Sequence, residues 1–377
     1  MRSVSFSRRF GTLLSVGLCL GLGLAGCSSG GSPSSAAKVD AAKATSLADF
    51  GTIDDLYAAA KAEGALNVIA LPRDWANYGA ILDAFTAAYP GIKIDEQNPN
   101  GSSAEEIQAA KTNKGLNNAP DVFDLGLTVT LQNTDMFAPY KTAGWGDIPD
   151  SLKDAGGLYV GDYGGYMSLG IDSAKFPVPA TLQDLLKPVY KGAVALNGDP
   201  TQANAAFSGV GLAALQSGGT LDDFQPGIDF FQQLNKAGNF IKVDPTPATV
   251  ASGETPIVFD WDYLNAANVK AVPTWKVVIF PGAGYAGYYY QAINADAPHP
   301  AAARLWQEVL YSDKAQNLWL AGGARPARMD AMIKAGTIDA ALAAALPPAP
   351  AQSFVPTAEQ SKKAGDLLGQ KWASAVA

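Results

Sequence analysis

Leu66-Asn67-Val68-Ile69-Ala70, Ile92-Lys93-Ile94 and Asp121-Val122-Phe123-Asp124-Leu125 decide the fold. Each is a short apolar run of strand composition, and the stretches between them are helical. Residues 78–89 set Ile81, Leu82, Phe85 and Ala88 at helical spacing and stop at Pro90-Gly91. Residues 103–112 predict a second helix, with Ser102 or Ser103 as N-cap and Glu105 and Glu106 in its first turn. A helix over 56–63, ending at Gly64, precedes the first strand. The order strand, helix, strand, helix, strand predicts an α/β fold with a mostly parallel sheet and helices on its faces.

The middle of the chain repeats the theme. Ala193-Val194-Ala195-Leu196, Ile257-Val258-Phe259-Asp260 and Val277-Val278-Ile279-Phe280 read as strands. Helices are expected over 202–215, over 221–237 behind Thr220, and over 263–270. Ser208-Gly209 reads as a close-packing spot inside its helix. The last quarter is helical over 300–311, 313–320 and 358–373, with Pro347-Pro348-Ala349-Pro350 as an extended link. Two α/β units suggest two lobes. Strand-like residues 166–170 and 286–293 fall where the chain passes between the units and are expected as a two-strand hinge. Lobe 1 is then 46–165 with 294–377, and lobe 2 is 171–285.

The N-terminus reads as an export signal. Arg2, Arg8 and Arg9 precede an apolar run over 10–24, followed by Leu24-Ala25-Gly26-Cys27. That run is about 15 residues, short of the ~20 that span a bilayer. Residues 28–35 are Ser-Ser-Gly-Gly-Ser-Pro-Ser-Ser, so 27–45 is expected to be a tether. Of the two cysteines, Cys19 would be removed with the signal (residues 1–26), leaving Cys27 and no internal disulfide. A chain that is 48% hydrophobic and 16% charged is globular. Signal cleavage removes three arginines and no acid, taking the net charge from −8 to −11, which excludes nucleic acid as a natural partner. The one histidine, His299, rules out a His-rich metal site; it is expected in a surface loop without a ligand role.

In open α/β sheets a ligand lies beyond the carboxyl ends of the strands. After the first strand come Arg73, Asp74, Trp75 and Tyr78, an anion-pairing guanidinium beside flat aromatic faces. After the second come Ser102 and Ser103, which suit either an anion at a helix start or simple capping. Asp124 ends the third strand, and Asp199 lies in the loop after the fourth. Asp260-Trp261-Asp262-Tyr263 offers two carboxylates and two aromatics, as a desolvated amine requires; Asp262 reads equally as an N-cap with Trp261 in the core. Tyr288 is the candidate among the hinge tyrosines. Adjacent tyrosines on a strand point apart, so Tyr288-Tyr289 is a weak match to a ferric site. No metal, cofactor or catalytic residue is expected.

Leu24-Ala25-Gly26-Cys27 resembles the lipobox of bacterial lipoproteins, in which the cysteine thiol takes a diacylglycerol. From residue 47 to 373 the chain resembles the two-lobed, type II periplasmic solute-binding lipoproteins of ABC importers, the class that includes iron, polyamine, thiamine and aminoethylphosphonate binders. The resemblance rests on Ala62-Glu63-Gly64-Ala65-Leu66-Asn67-Val68, Phe85-Thr86-Ala87-Ala88-Tyr89-Pro90-Gly91-Ile92, Ala119-Pro120-Asp121-Val122, Leu186-Lys187-Pro188-Val189-Tyr190-Lys191-Gly192 and Ala297-Pro298-His299-Pro300-Ala301-Ala302-Ala303. It implies a monomer held outside the membrane by lipid on Cys27. It also implies a non-enzymatic role: the lobes close on a small-molecule solute and deliver it to a membrane permease. Arg73 with Ser102 and Ser103 favours an anion; Asp124, Asp260 and Asp262 favour a cation. The expected solute is therefore polyamine-like, or an aminoalkylphosphonate or phosphate ester. Two other functions remain open. One is an exported hydrolase using paired carboxylates such as Asp260 and Asp262, although glycosidase pairs stand roughly 5–9.5 Å apart across a substrate. The other is a binding or sensing lipoprotein that transports nothing.

Overall fold

Twelve strands carry the described part of the chain, residues 39–377 of a computed structural model. In order they are β1 Ala65–Ile69, β2 Lys93–Gln97, β3 Val122–Gly126, β4 Phe137–Ala138, β5 Val160–Asp172, β6 Val194–Leu196, β7 Phe240–Ile241, β8 Ile257–Trp261, β9 Trp275–Val278, β10 Ala283–Asn294, β11 Arg325–Pro326 and β12 Gln352–Phe354. The helices among them are α1 Ile53–Glu63, α2 Tyr78–Ala88, α3 Ser103–Thr112, α4 Leu127–Gln132, α5 Asn204–Gln216, α6 Gln225–Lys236, α7 Pro247–Ser252, α8 Asp262–Ala267, α9 Pro300–Leu310, α10 Asp313–Ala321, α11 Met329–Ala335, α12 Ala340–Ala344 and α13 Ala358–Ala375. The expected signal and the cleavage and lipidation at Cys27 lie outside the described residues.

The first half is built on β1, β2 and β3. β1 pairs parallel with β2, Leu66 opposite Ile94. The Asn67 amide donates to Asp121 Oδ2 at 2.7 Å, and its side chain donates to the carbonyls of Asn117 and Ala119, binding β1 to the entry of β3. β3 runs antiparallel to β10, Gly126 opposite Tyr289 and Val122 opposite Ile293. α1, α2, α9 and α10 cover this half, with Phe85 and Trp306 fully buried and 5.5 Å apart between ring centroids. The second half pairs β6 parallel with β7 and β8.

β5 is long because it serves both halves. Its start pairs antiparallel with β10, Gly164 opposite Tyr288; its end pairs with β8, Met167 opposite Trp261 and Ile171 opposite Ile257, and with β9. The stretches expected as hinge strands are thus parts of two longer strands that join the halves. A third passage follows the proline-rich link, where β12 pairs parallel with the start of β10, Ala283 opposite Gln352.

Three expectations need correction. The tether does not run to residue 45: residues 41–43 form a 3-10 turn, Ala44 is buried, and Arg304 donates to the carbonyls of Ala42 and Ala44. The helix expected over 221–237 begins at Gln225, because Pro226 has no N–H to give to residue 222 and belongs in a first turn. Residues 294–377 do not all belong with the first half. Trp372 of α13 packs on Phe231 of α6 at 5.5 Å, Asn235 donates to the Ala377 carbonyl, and Gly365 touches Thr128 of α4 in the first half. Gly209 does meet Leu196 of β6 side on, as close packing there requires.

Candidate functional site

The turn after β1 is folded back by three left-handed residues, Ala70, Ala76 and Asn77, with φ of 55°, 46° and 67°. Such backbone is costly for residues with a Cβ and persists where surrounding contacts enforce it. The Asn77 side chain donates to the Leu318 carbonyl at 2.8 Å. The turn brings Trp75 inward, where its indole N–H donates to the Tyr163 hydroxyl at 2.9 Å, and starts α2 with Tyr78 fully buried.

Tyr78 and Tyr163 both donate to Asp124 Oδ2, at 2.9 and 3.1 Å. Asp162, on β5, lies beside them. Its Oδ2 accepts from Gln291 at 2.9 Å and sits 3.3 Å from the Tyr78 hydroxyl, while its Oδ1 accepts from the Tyr163 amide. Glu106 of α3 lies behind and accepts from the Asp124 amide at 2.9 Å. The second half contributes Asp260, which accepts from Asn197 and from the Trp261 amide.

Aromatic rings from both halves close around these acids. Tyr163 stacks on Tyr289 at 5.6 Å and on Trp319 at 5.3 Å, and meets Tyr263 edge-on at 5.9 Å. Trp261 stacks on Tyr263 and meets Tyr289 edge-on, both at 6.3 Å; Trp75 meets Tyr289 at 5.9 Å. Five buried polar atoms of this cage have no hydrogen-bond partner among the described residues: Asp124 Oδ1, Gln291 Oε1, the Tyr263 hydroxyl, and the indole nitrogens of Trp261 and Trp319. Buried polar groups are seldom left unpaired, which makes these atoms the candidate ligand contacts of the cage.

Burial sets the electrostatics. Desolvation pushes Asp124 and Asp260 each up to about 7, against the hydrogen bonds they accept. It pushes Asp162 and Glu106 well above the usual carboxylate range, with the neighbouring Asp124 charge adding to both. Among the described residues no lysine, arginine or histidine pairs with any of the four, and none is among the main influences on their pKa. Asp262 differs: burial raises it, but Arg325 opposes this through an ion pair at 2.8 Å, and the amides of Tyr166 and Tyr263 add two bonds.

Of the residues singled out in the sequence, Trp75, Tyr78, Asp124, Asp260, Trp261 and Tyr263 come together in this cage. Others do not. Arg73 is exposed and pairs with Asp83 and Glu96. Asp74 is exposed. Ser102 forms a capping box with Glu105, the capping alternative, and buried Ser103 accepts from the Gly126 amide through Oγ. Asp199 holds its own turn by accepting from the amide and hydroxyl of Thr201. Asp262 is spent on Arg325. Tyr288 faces the other side of β10, because neighbouring strand residues point oppositely; burial pushes its phenol up to about 12 against the opposing charge of Arg325, and Tyr289 is the cage residue. His299 is no free loop residue: its ring Nδ1 and its amide both meet the buried Asp121 carboxylate, at 2.9 and 2.7 Å. Asp162, Tyr163, Tyr289, Gln291 and Trp319 were missed. The only signal for Asp162 and Tyr163 was their place at the start of the strand running into Gly164-Gly165.

Beside the cage, the backbone of Gly126 meets the side chain of Asn204 at the start of α5, and a cavity of about 60 Å³ opens between residues 126–132 and 200–204. A roomier cavity of about 640 Å³ lies elsewhere on the first half, lined by Leu47, Tyr89, Glu308 and Arg328 among others. It contains none of the cage residues.

Residues 118–350 match the profile of the family described as bacterial extracellular solute-binding protein. No curated protein matches the sequence. Solved structures match closely in shape. An ABC transporter substrate-binding protein of Bradyrhizobium japonicum USDA 110 has a TM-score of 0.64 at 16% identity, over 83% of this chain and 100% of its own. AgtB of A. tumefaciens R10, bound to agropinic acid, has 0.64 at 18%, over 83% and 98%. AfuA of Actinobacillus pleuropneumoniae, bound to fructose-6-phosphate, has 0.63 at 15%, over 83% and 98%. At these identities the likeness establishes the two-lobed fold, and the ligands named are those proteins' own.

Proposed function

This chain belongs to the bacterial extracellular solute-binding protein family, binding components of ABC transporters and not enzymes, and from that premise we propose that its solute is a small organic cation, an amine or quaternary ammonium. One observation carries the reading: the unpartnered oxygen of Asp124 lies within a wall of tyrosine and tryptophan faces, with no basic side chain acting on the acid. Aromatic faces attract a cation by their quadrupole, and a buried carboxylate supplies the countercharge. The polyamine side of the expectation keeps Asp124 and Asp260, and loses Asp262 to Arg325. The phosphonate side loses them, since Arg73 and Ser102 have surface partners.

In this reading β5, β10 and the passage into β12 are the hinge, and closure brings Trp261 and Tyr263 onto Asp124. Lipid on Cys27 holds the monomer at the outer face of the membrane, where it hands its solute to the permease. Thermal-shift screening against amines, quaternary ammonium compounds and phosphate esters tests the solute class. Stabilisation by amines, lost in Asp124→Asn, is the expected result; stabilisation by phosphate esters alone, unchanged in that variant, would sink it.

A further inference from the structure

Asp124 does not face the cage alone. Its Oδ2 and Asp162 Oδ2 converge on one phenol, Tyr78, at 2.9 and 3.3 Å, and that phenol has a single proton to give. Gln291 donates to both Tyr78 and Asp162 and lends no charge. The groups packed around the pair are Tyr78 from α2, Glu106 from α3, Tyr163 from β5, Tyr290 and Gln291 from β10, and Tyr311 after α9. Tyr289 of β10 and Tyr263 of the second half also face Asp124. None is basic, and Arg325 is committed to Asp262.

Two carboxyls meeting in a dry interior cannot both be ionised without a countercharge, so the pair holds a proton. On the reading of the cage as a cation site, we propose that the solute is taken up in exchange for the proton held by the Asp124–Asp162 pair. The arriving cation settles against Asp124 Oδ1. The carboxylic O–H bond breaks, its electron pair stays on the carboxylate, and the proton leaves to solvent. One positive charge enters as one departs, so the net charge of the site is unchanged by binding. Asp162 is a positioning residue in this scheme: it stores the proton without touching the solute. Burial agrees with a held proton, since it pushes Asp124 up to about 7 and Asp162 well above the usual carboxylate range. Binding therefore tightens as pH rises, by about tenfold per unit while one proton is displaced.

Isothermal titration of the purified protein tests this at pH 8.0 in phosphate and in Tris, whose ionisation heats differ widely. The probes are tetramethylammonium, choline and methylguanidinium, whose charges do not titrate there, with putrescine as a primary amine. The wild type is expected to release about one proton per probe bound. Asp162→Asn, counted per mole bound, is expected to release almost none, because Asp124 is already ionised and Asn has no proton to lose. Equal binding heats in the two buffers for the wild type overturn the exchange by themselves, whether or not the variant folds, and leave the cation site standing. Equal release from Asp162→Asn and wild type overturns the role of Asp162. Failure of every probe to bind overturns the cation reading, and the exchange with it.

Discussion

Arg325 is the residue whose removal most cleanly tests the account of the buried acids. Its guanidinium lies on β11, in the first half, and bonds at 2.8 Å to Asp262 at the start of α8, in the second. It also stands 4.4 Å over the Tyr166 ring and donates to the Pro347 carbonyl at 2.7 Å. The Asp262 side chain is wholly buried and that of Arg325 is 14% exposed, so solvent screens the pair little. Truncation to alanine leaves a buried carboxylate with two backbone donors and no charge partner. Breaking such a pair costs about 3–5 kcal/mol. The bonds from Tyr166 and Tyr263 survive, so the lower end, about 3 kcal/mol, is the expected loss at pH 7. Without Arg325 burial raises the Asp262 pKa further, the carboxyl takes a proton sooner, and the deficit shrinks as pH falls. The double variant Asp262→Leu with Arg325→Met removes both charges at similar volume and should recover most of the loss. Urea unfolding followed by tryptophan fluorescence gives each value from the midpoint and slope. A loss below about 1 kcal/mol in Arg325→Ala, or a double variant no better than the single one, would refute the reasoning.

Other consequences follow from the same geometry. The hydrogen bond to Asp121 raises His299 above its usual pKa, so the pair stabilises the fold fully below about 6.5 and loses that contribution as pH rises through the raised value; the urea midpoint difference between wild type and His299→Gln should narrow from pH 6 to pH 8.5. Arg304→Met keeps the stem but drops three bonds to the carbonyls of Ala42, Ala44 and Pro300, and should cost about 2–3 kcal/mol while amide exchange over residues 40–46 becomes fast. Gly126→Ala puts a methyl into the Asn204 side chain where the halves meet. Overpacking of about 1–3 kcal/mol should weaken solute binding about fivefold to a hundredfold and raise the scattering radius of gyration with solute present.

The strands and most helices were legible because each carries its own signal: an apolar run, a helical stripe, a cap or a proline. Residues 166–170 and 286–293, strand-like in sequence, lie within β5 and β10. The site was half legible. Residues at strand ends, Asp124 and Asp260, were found because topology alone places them. Arg73 was lost because the left-handed turn after β1 throws it outward while drawing Trp75 in, and no residue type announces such a turn in a stretch with Ala70, Ala76 and Asn77 at positive φ. Tyr288 was chosen over Tyr289 because facing depends on register, and a one-residue difference reverses it. Asp162 was invisible because an acid inside a buried strand has no periodic signature.

The buried acids divide into two groups, and the division bears on function. Asp121 meets His299, Asp262 meets Arg325, and Asp172 lies 3.5 Å from Lys175. Each sits where the chain must be held: at the β3 entry, between the halves, at the end of β5. Asp124, Asp162, Asp260 and Glu106 are buried as deeply, and no basic side chain among the described residues pairs with them. The first group shows that this fold readily supplies a basic side chain where structure alone calls for one. An acid left without a base costs stability unless it carries a proton or meets a charge from outside. In the proposed reading, protons on the acids limit the charge of the cage before the solute arrives, and the aromatic walls accept the cation that displaces one. A purely structural cluster would gain from a basic partner; a receptor for a cation would be blocked by one.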